Sequence, residues 1–341
     1  MVCIATDGTN LYVTDTWNTV RKIAIATGVV TTFAGRTDGR GAIFLNPTGI
    51  ATDGTNLYVA DTGYNRIRQV VIATGVVSTL VGDGSEVGGI GDWPKFNSPT
   101  IITIDSGNLY VIDAGISTIR KVLIATRKVT TVASSDVRFN HLAGIASDGA
   151  NLYVVDNWKS TIRKLDLSTT ELTEFAGSSS NVVNGTAALA RFSGAQSVTT
   201  DGKNLYVCDE GRIRQVVIAT GVVTTLSGGY SEGYYACEGI TTDGTNIYIT
   251  ETDNSTISQV TIATGAYTRL AGGGLHHPGE GGSRPAAAAR PHAGAGRRDG
   301  LDEALRAHRD RTRPGAAGGS DSQARARARA ARRPRRDGRA A

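Results

Sequence analysis

The feature that most constrains this chain is a segment that recurs six times along it. Each copy reads approximately I-A-T-D-G-T-N-L-Y-V-x-D, then a short loop, then I-R-K-V-x-I-A-T-G-V-V-T-T-x-A-G. The first aspartates of the copies are Asp7, Asp53, Asp105, Asp148, Asp201 and Asp243. A repeat of about 40 to 50 residues is typical of propellers and solenoids, in which each copy forms one structural unit. Residues common to all copies are therefore expected to hold the unit together, and function is expected where the copies differ.

Four short runs of strand-forming residues make up each copy. In the second copy they are residues 50–52, 57–60, 67–72 and 76–81, and the pairs Asp-Gly and Thr-Gly between them tolerate the positive φ of tight turns. Small residues dominate the first run in most copies, which suits an innermost strand near a crowded axis. The sequence therefore predicts an all-β, six-bladed β-propeller of four-stranded antiparallel blades. Because each copy contains its own four strands, blade one is expected to meet blade six by side-chain packing alone.

The motifs N-L-Y-V-x-D and I-R-K-V, with F-x-x-P-x-G-I between copies, resemble those of the NHL-repeat propellers, especially bacterial extracytoplasmic ones. The resemblance covers residues 2–272 and implies a six-bladed propeller. It leaves function open, because NHL-like propellers include protein-binding, RNA-binding and enzymatic members.

We predict a propeller domain over residues 1–273, with blades at about 1–46, 47–98, 99–141, 142–194, 195–236 and 237–273. Up to Gly274 the chain has 20 Lys plus Arg against 24 Asp plus Glu, whereas from Leu275 onward it has 16 Arg against seven acids. The excess positive charge thus belongs to the tail, and the propeller itself is not expected to bind nucleic acid.

Residues 274–341 form a low-complexity basic tail that is predicted to be disordered, because it offers too little apolar surface to offset chain entropy. One interpretation is an Arg-rich arm that binds nucleic acid or an anionic surface. The favoured one is an out-of-frame end, since Arg, Ala, Gly and Pro have GC-rich codons and the change of composition is abrupt.

An aromatic residue precedes the first isoleucine or valine of every later copy by six positions: Phe44, Phe96, Phe139, Phe192 and Tyr234. The first copy has none, from which we expect the chain to begin inside a longer protein. That protein is predicted to be secreted, periplasmic or on the cell surface, although the chain carries no signal peptide motif. No stretch reaches the ~20 apolar residues that span a bilayer.

The three cysteines, Cys3, Cys208 and Cys237, lack the spacing of a metal site. They occupy positions that other residue types fill in other copies. We therefore predict small core side chains and neither a disulfide framework nor a zinc site.

Four polar or aromatic series recur in the copies and are predicted to be structural. The turn aspartates are expected to cap their own D-G-x-N turns, which is favoured over a ring of cation ligands. With the four strands of a copy lettered a to d in chain order, a second acidic series at the end of strand b is expected to pair with an arginine series in strand c. This pairing is favoured over anion binding by the arginines. The tyrosines that begin at Tyr12 are expected to be blade core. The acidic series is Asp15, Asp61, Asp113, Asp156, Asp209 and Glu251, and the arginines are Arg21, Arg68, Arg120, Arg163 and Arg214.

The residues that vary between copies include most of the remaining aromatics, and these fall in loops that should emerge on one face, called here the top face. Amphipathic rings on loops over a rigid scaffold are typical of a surface that recognises protein or carbohydrate. We predict a monomeric binding module with no cofactor or metal. The predicted top-face residues are Trp17, Tyr64, Trp93, His141, Trp158, Tyr230 and Tyr235.

The alternative is a lactonase-like hydrolase or lyase with its site at the mouth of the central channel. The residues expected there are Thr48, Thr100, Gln196 and Glu238. One carboxylate suits a divalent cation poorly, and His141 has no assigned nucleophile. No catalytic residue is therefore predicted, although convergence of Glu238, Gln196 and His141 would favour the enzyme.

Overall fold

The computed structural model describes residues 3–35, 44–82, 95–133, 139, 141–177, 183–228 and 237–273. These residues form 25 strands and several short 3-10 turns. In chain order the strands are β1 (Ile4–Thr6), β2 (Asn10–Thr14), β3 (Thr19–Ala24), β4 (Val30–Gly35), β5 (Pro47–Thr52), β6 (Asn56–Asp61), β7 (Arg66–Val71), β8 (Val77–Val81), β9 (Pro99–Asp105), β10 (Asn108–Asp113), β11 (Thr118–Leu123), β12 (Lys128–Ala133), β13 (Leu142–Ser147), β14 (Asn151–Asp156), β15 (Thr161–Asp166), β16 (Leu172–Ala176), β17 (Gly185–Thr186), β18 (Ala195–Thr200), β19 (Asn204–Asp209), β20 (Arg212–Val217), β21 (Val222–Gly228), β22 (Cys237–Thr242), β23 (Asn246–Glu251), β24 (Thr256–Thr261) and β25 (Tyr267–Gly272).

The sheets confirm an all-β, six-bladed propeller. Consecutive strands form six antiparallel sheets, β1–β4, β5–β8, β9–β12, β13–β16, β18–β21 and β22–β25. The inner strands contact one another in turn, and the ring closes where β22 meets β1. Blade five has one strand more than predicted, because β17 from the preceding connection pairs with the outer edge of β21.

The hydrophobic core is divided among the six junctions between blades. At the closing junction Ile4, Leu11 and Val13 of blade one pack with Tyr248 and Ala271 of blade six. Among the described residues, no strand is exchanged between these two blades, so side-chain packing closes the ring as predicted. Since core lies between blades, no blade buries its apolar faces alone.

The shared polar residues have the structural roles predicted for them, with one exception. In blade two Asp53 accepts the backbone N–H groups of Thr55 at 2.8 Å and Asn56 at 2.6 Å, and the hydroxyl of the buried Tyr58 at 2.8 Å. These hydrogen bonds hold the pKa of Asp53 below its usual value, although burial opposes them. In blade three Asp105 instead accepts hydroxyls, from Ser106 at 2.9 Å and from Ser147 of the next blade at 3.2 Å.

Four strand-c arginines pair with the acidic residue of their own blades. The nitrogen-to-oxygen distances are 3.8 Å for Arg21 and Asp15, 3.6 Å for Arg68 and Asp61, 3.5 Å for Arg120 and Asp113, and 3.1 Å for Arg214 and Asp209. In blade six, where Ser258 replaces the arginine, the buried Glu251 accepts hydroxyls from Thr256, Ser258 and Tyr267 at 2.6, 2.9 and 3.0 Å.

The prediction for the cysteines is wrong in one respect. Cys208 and Cys237 are buried in the core between blades five and six, but they are joined by a disulfide with their Cα atoms 5.7 Å apart. Spacing along the sequence does not reveal this pair, because only the packing of β19 against β22 brings the two positions together. Cys3 is a free thiol.

The predicted tail, residues 274–341, lies outside the described residues. Among the described residues, no helix is long and apolar enough to cross a membrane.

Candidate functional site on the top face

The top face is built from two sets of loops that brace each other. The b–c loops follow the second strand of each blade, and three of them contain a 3-10 turn, at Thr62–Tyr64, Ala114–Ile116 and Asn157–Lys159. The connections between blades run beside them: the N–H of Gly63 donates to the carbonyl of Leu45 at 2.9 Å, and that of Asn157 to the carbonyl of His141 at 2.9 Å. The b–c loops and the connections between blades therefore form a hydrogen-bonded frame, which displays the side chains of the top face.

Trp158 is the most exposed aromatic residue in the described part of these loops, with 72% of its surface accessible. Its ring stacks on the imidazole of His141, with centroids 5.8 Å apart and an interplanar angle of 9°. The neighbouring Asn157 fixes the turn by donating its side-chain amide to the carbonyl of Ala195 at 2.7 Å. The backbone N–H of His141 donates to Asp156 at 3.2 Å. The structure thus brings together two of the predicted site residues, His141 and Trp158, on two loops that hydrogen bonds hold in place.

Trp17 is the second exposed indole, with 71% of its surface accessible, and it belongs to the b–c loop of blade one. Blades one and four are opposite in a six-membered ring, so the two indoles lie on opposite sides of the top face. Tyr64 is half-buried, and the Arg66 guanidinium lies 4.3 Å from its ring centroid. The predicted residues Trp93, Tyr230 and Tyr235 lie outside the described residues.

The central channel is narrowed by one aliphatic side chain from each inner strand: Ile4, Ile50, Ile102, Ile145, Val198 and Ile240. On the top side a 50 Å³ pocket also contains Cys3, Ser197 and Glu238. On the other side a 280 Å³ vestibule is lined by hydroxyl-bearing residues such as Thr6 and Thr52. Those two hydroxyls donate to the carbonyls of Asn10 and Asn56 at 3.1 and 2.9 Å, so they serve the turns.

Of the four residues expected at the channel mouth, only Glu238 lines the 50 Å³ pocket on the top side. The other three, Thr48, Thr100 and Gln196, do not line it. Thr48 is buried between blades, where its hydroxyl donates to the carbonyl of Thr100 at 2.7 Å. Gln196 is half-buried on β18, whereas His141 lies in the connection before β13 and stacks on Trp158. Within the described ranges, no group of three His, Cys, Asp or Glu side chains could hold a metal ion.

The thiol beside Glu238 is not poised for nucleophilic chemistry. Desolvation by burial, reinforced by the Glu238 carboxylate, raises the pKa of Cys3 to about 12. A thiol with that pKa stays protonated at neutral pH, and the thiolate is the reactive form.

A cleft at the closing junction was not predicted from the sequence. It has a volume of 470 Å³ and opens between the b–c loops of blades one and six, with Trp17 at its rim and the Asp15–Arg21 pair in its wall.

No protein-family model and no curated protein matches this chain. Solved structures do match it. One is a chain in the crystal structure of a nidogen/laminin complex, with a TM-score of 0.57 and 15% identity over 74% of this chain and 89% of that one. Another is an auxiliary nutrient binding protein of Bacteroides ovatus, with a TM-score of 0.59 and 16% identity over 77% of this chain and 67% of that one. A similar protein of Bacteroides thetaiotaomicron has a TM-score of 0.54 and 15% identity over 78% and 67%. At these identities the likeness establishes the propeller fold.

Proposed function

We propose that this propeller is a non-enzymatic binding module that recognises a protein or carbohydrate through its top face. The observation that carries the proposal is the exposed Trp158 ring, stacked on His141 and mounted on a loop fixed by Asn157. A rigid aromatic platform presents a large apolar area with little conformational entropy to lose, which suits both sugar stacking and protein hot spots.

The names of the structural neighbours are consistent with a binding role for this propeller. One comes from a complex between two proteins, and two are described as nutrient-binding proteins. The motif resemblance supports a propeller of the NHL-repeat type, and we propose that residues 1–273 form it as a monomeric domain. The Cys208–Cys237 disulfide supports an oxidising, extracytoplasmic compartment.

The channel mouth supports a lactonase-like or lyase activity less well. Its 50 Å³ pocket holds little more than a water molecule or two, and Glu238 is its one carboxylate. Neither Gln196 nor His141 lines it.

The test is retardation in native gels that contain starch, xylan or mixed-linkage glucan, together with binding of purified candidate protein partners to the immobilised chain. For whichever ligand binds, Trp158→Ala is expected to weaken affinity at least tenfold, since an aromatic hot spot contributes about 2 kcal/mol or more. Val76→Ala is the control, because Val76 is an exposed apolar residue, 59% accessible, in a turn on the opposite face. Wild-type affinity in both Trp158→Ala and Trp17→Ala would contradict the proposal.

A further inference from the structure

The turn between strands a and b of blade three differs from the same turn in the five other blades. In those five a threonine or serine, an aspartate and a glycine follow one another, whereas blade three has Ile104, Asp105 and Ser106. Each of the five aspartates accepts two backbone N–H groups of its own turn. Among the described residues, no backbone N–H donates to the carboxylate of Asp105. This carboxylate therefore does not serve its turn as the others do.

Asp105 keeps hydrogen-bonding capacity that the other turn aspartates use within the fold. It accepts the hydroxyls of Ser106 and Ser147, which is about half of the four hydrogen bonds that a carboxylate can accept. In the five other blades the strand-b tyrosine also donates its hydroxyl to the turn aspartate, at 2.8 or 2.9 Å. Tyr110 is only 2% exposed, and among the described residues its hydroxyl makes no such bond. Burial and the nearby charge of Asp105 raise the pKa of this tyrosine.

An open cavity of 620 Å³ lies against this turn on the bottom face, which is the face that carries the a–b and c–d turns. Its volume falls within the range of about 300 to 1,000 Å³ that is typical of small-molecule sites. The lining residues are Asp53 of blade two and Ile104, Asp105, Ser106, Gly107, Leu123, Ile124 and Ala125 of blade three. The carboxylate of Asp105 thus stands in the wall of a space large enough for a small ligand.

The lining of this cavity combines negative charge with aliphatic surface. Asp53 and Asp105 are its charged residues, and among the described residues no lysine, arginine or histidine lines it. Asp53 accepts hydrogen bonds from the backbone and side chains of its own turn and from Tyr58, so it contributes charge but little acceptor capacity. Leu123 is 38% exposed here. A complementary ligand carries a cation with N–H donors and an apolar body.

We propose that this cavity binds a small primary amine, whose ammonium group donates to Asp105 and whose aliphatic body lies on Ile104 and Leu123. Hydrogen bonds between an ammonium group and a carboxylate are among the strong ones in proteins. The hydroxyls of Ser106 and Ser147 hold the carboxylate in place. The site lies on the face opposite to Trp158, so it is additional to the proposed function and does not depend on it.

The probe is hexylamine, titrated at neutral pH into the isotope-labelled full-length protein and followed by the chemical shifts of backbone amides. We expect saturable shifts at residues 104–107 and 123–125. Hexanol and hexanoate present the same aliphatic body without the cation, and they are expected to bind at least fivefold more weakly. A tripeptide with a central lysine and blocked ends tests whether the amine is better supplied by a polypeptide.

Asp105→Asn is expected to weaken binding about tenfold, because it removes the charge that the ammonium group contacts. A second variant, Ile104→Thr/Ser106→Gly/Gly107→Thr, gives blade three the turn sequence that blades one, two and six already carry. In this variant Asp105 is expected to cap its turn and to accept the hydroxyl of Tyr110. Binding of hexylamine should then be lost, while the unfolding temperature should be retained or raised.

Glu171→Gln is the matched control, because Glu171 is an exposed carboxylate on the same face that does not line the cavity. It should leave binding unchanged. The proposal would be overturned by the absence of saturable shifts, by equal binding of hexanol, or by equal losses in Asp105→Asn and Glu171→Gln. Wild-type affinity in the variant with the restored turn would also overturn it. Tighter binding of the lysine peptide than of hexylamine would overturn the assignment to a small molecule.

Discussion

At the scale of the residue, the recurring aspartate–arginine pair is buried to very different extents in different blades. Arg214 is fully buried, and it donates to Asp209 at 3.1 Å, to the carbonyls of Arg191 and Val183 at 3.0 and 3.1 Å, and to the side chain of Asn184 at 3.1 Å. Arg21, at the cleft, is 3.8 Å from Asp15 and partly solvated. The same two residue types therefore contribute differently to stability.

Arg214→Ala is expected to lower the free energy of unfolding by about 3 kcal/mol or more, because it leaves the buried Asp209 without its cation. Arg21→Ala should cost less than about 1 kcal/mol, as an exposed pair does. Urea unfolding of the two variants measures the difference. Equal losses would show that burial of the pair does not govern its contribution.

Asp113 should make stability depend on pH. Burial raises the pKa of this carboxyl to about 6, although the Asn97 N–H and the Arg120 charge oppose the shift. The folded state then holds a proton that the unfolded state releases near pH 4, so the contribution of Asp113 is most favourable below about pH 4 and falls as pH rises to about 6.

Unfolding of the wild type and of Asp113→Asn between pH 4 and pH 7 isolates this effect, because the other carboxylates titrate in both proteins. The stability of the wild type relative to the variant should fall across that interval and level off above it. A difference that is constant with pH would contradict the raised pKa.

At the scale of the element, one covalent bond joins two strands of different blades. The Cys208–Cys237 disulfide connects β19 to β22 and closes a loop of 29 residues. In the chain-entropy account, cross-linking a loop of this length stabilises the fold by about 3 to 4 kcal/mol.

Cys208→Ser should therefore unfold at a lower temperature than the oxidised wild type, and the wild type should approach the variant after reduction. Thiol titration of the unfolded protein should count one free cysteine, Cys3, before reduction and three afterwards. Cys3→Ser is the control, since it should retain the effect of reduction on stability. Three reactive thiols in protein purified under oxidising conditions would contradict the pairing.

At the scale of the whole molecule, stability is expected to reside in the ring. As far as the structure describes the chain, the six junction cores lie between positions 3 and 271, and the tail that follows is predicted to be disordered. A variant ending at Gly273 is therefore expected to unfold at the same temperature as the full chain. It should lose any retention on heparin, because the 16 arginines that follow Gly274 are removed. A markedly lower unfolding temperature would show that the tail contributes to the fold.

Most of the fold could be predicted because the chain contains its own alignment. Six copies of one pattern identify the strands, the turn aspartates, the core tyrosines and the paired arginines without any second sequence. The additional strand β17 could not be predicted, since it arises from a connection that no other copy shares and depends on the free edge of β21.

The candidate site could be predicted only in part. Loop positions marked Trp17 and Trp158 as residues outside the repeated core, but sequence does not say which ring will face solvent and which will lie against an arginine, as Tyr64 does. The sequence predicts Thr48 at the channel mouth, but its hydroxyl donates to a backbone carbonyl of the neighbouring blade.

The sequence by itself determined what each blade is, because strand periodicity, turn residues and buried pairs act within about 50 residues of chain and are repeated in every copy. The tertiary structure alone decided what happens between blades. The packing of neighbouring blades brought Cys208 and Cys237 together, and the closing junction placed Trp17 and the Asp15–Arg21 pair beside a cleft with blade six. These arrangements involve residues of different copies, and their proximity in space is set by the packing of the ring and not by any spacing along the chain.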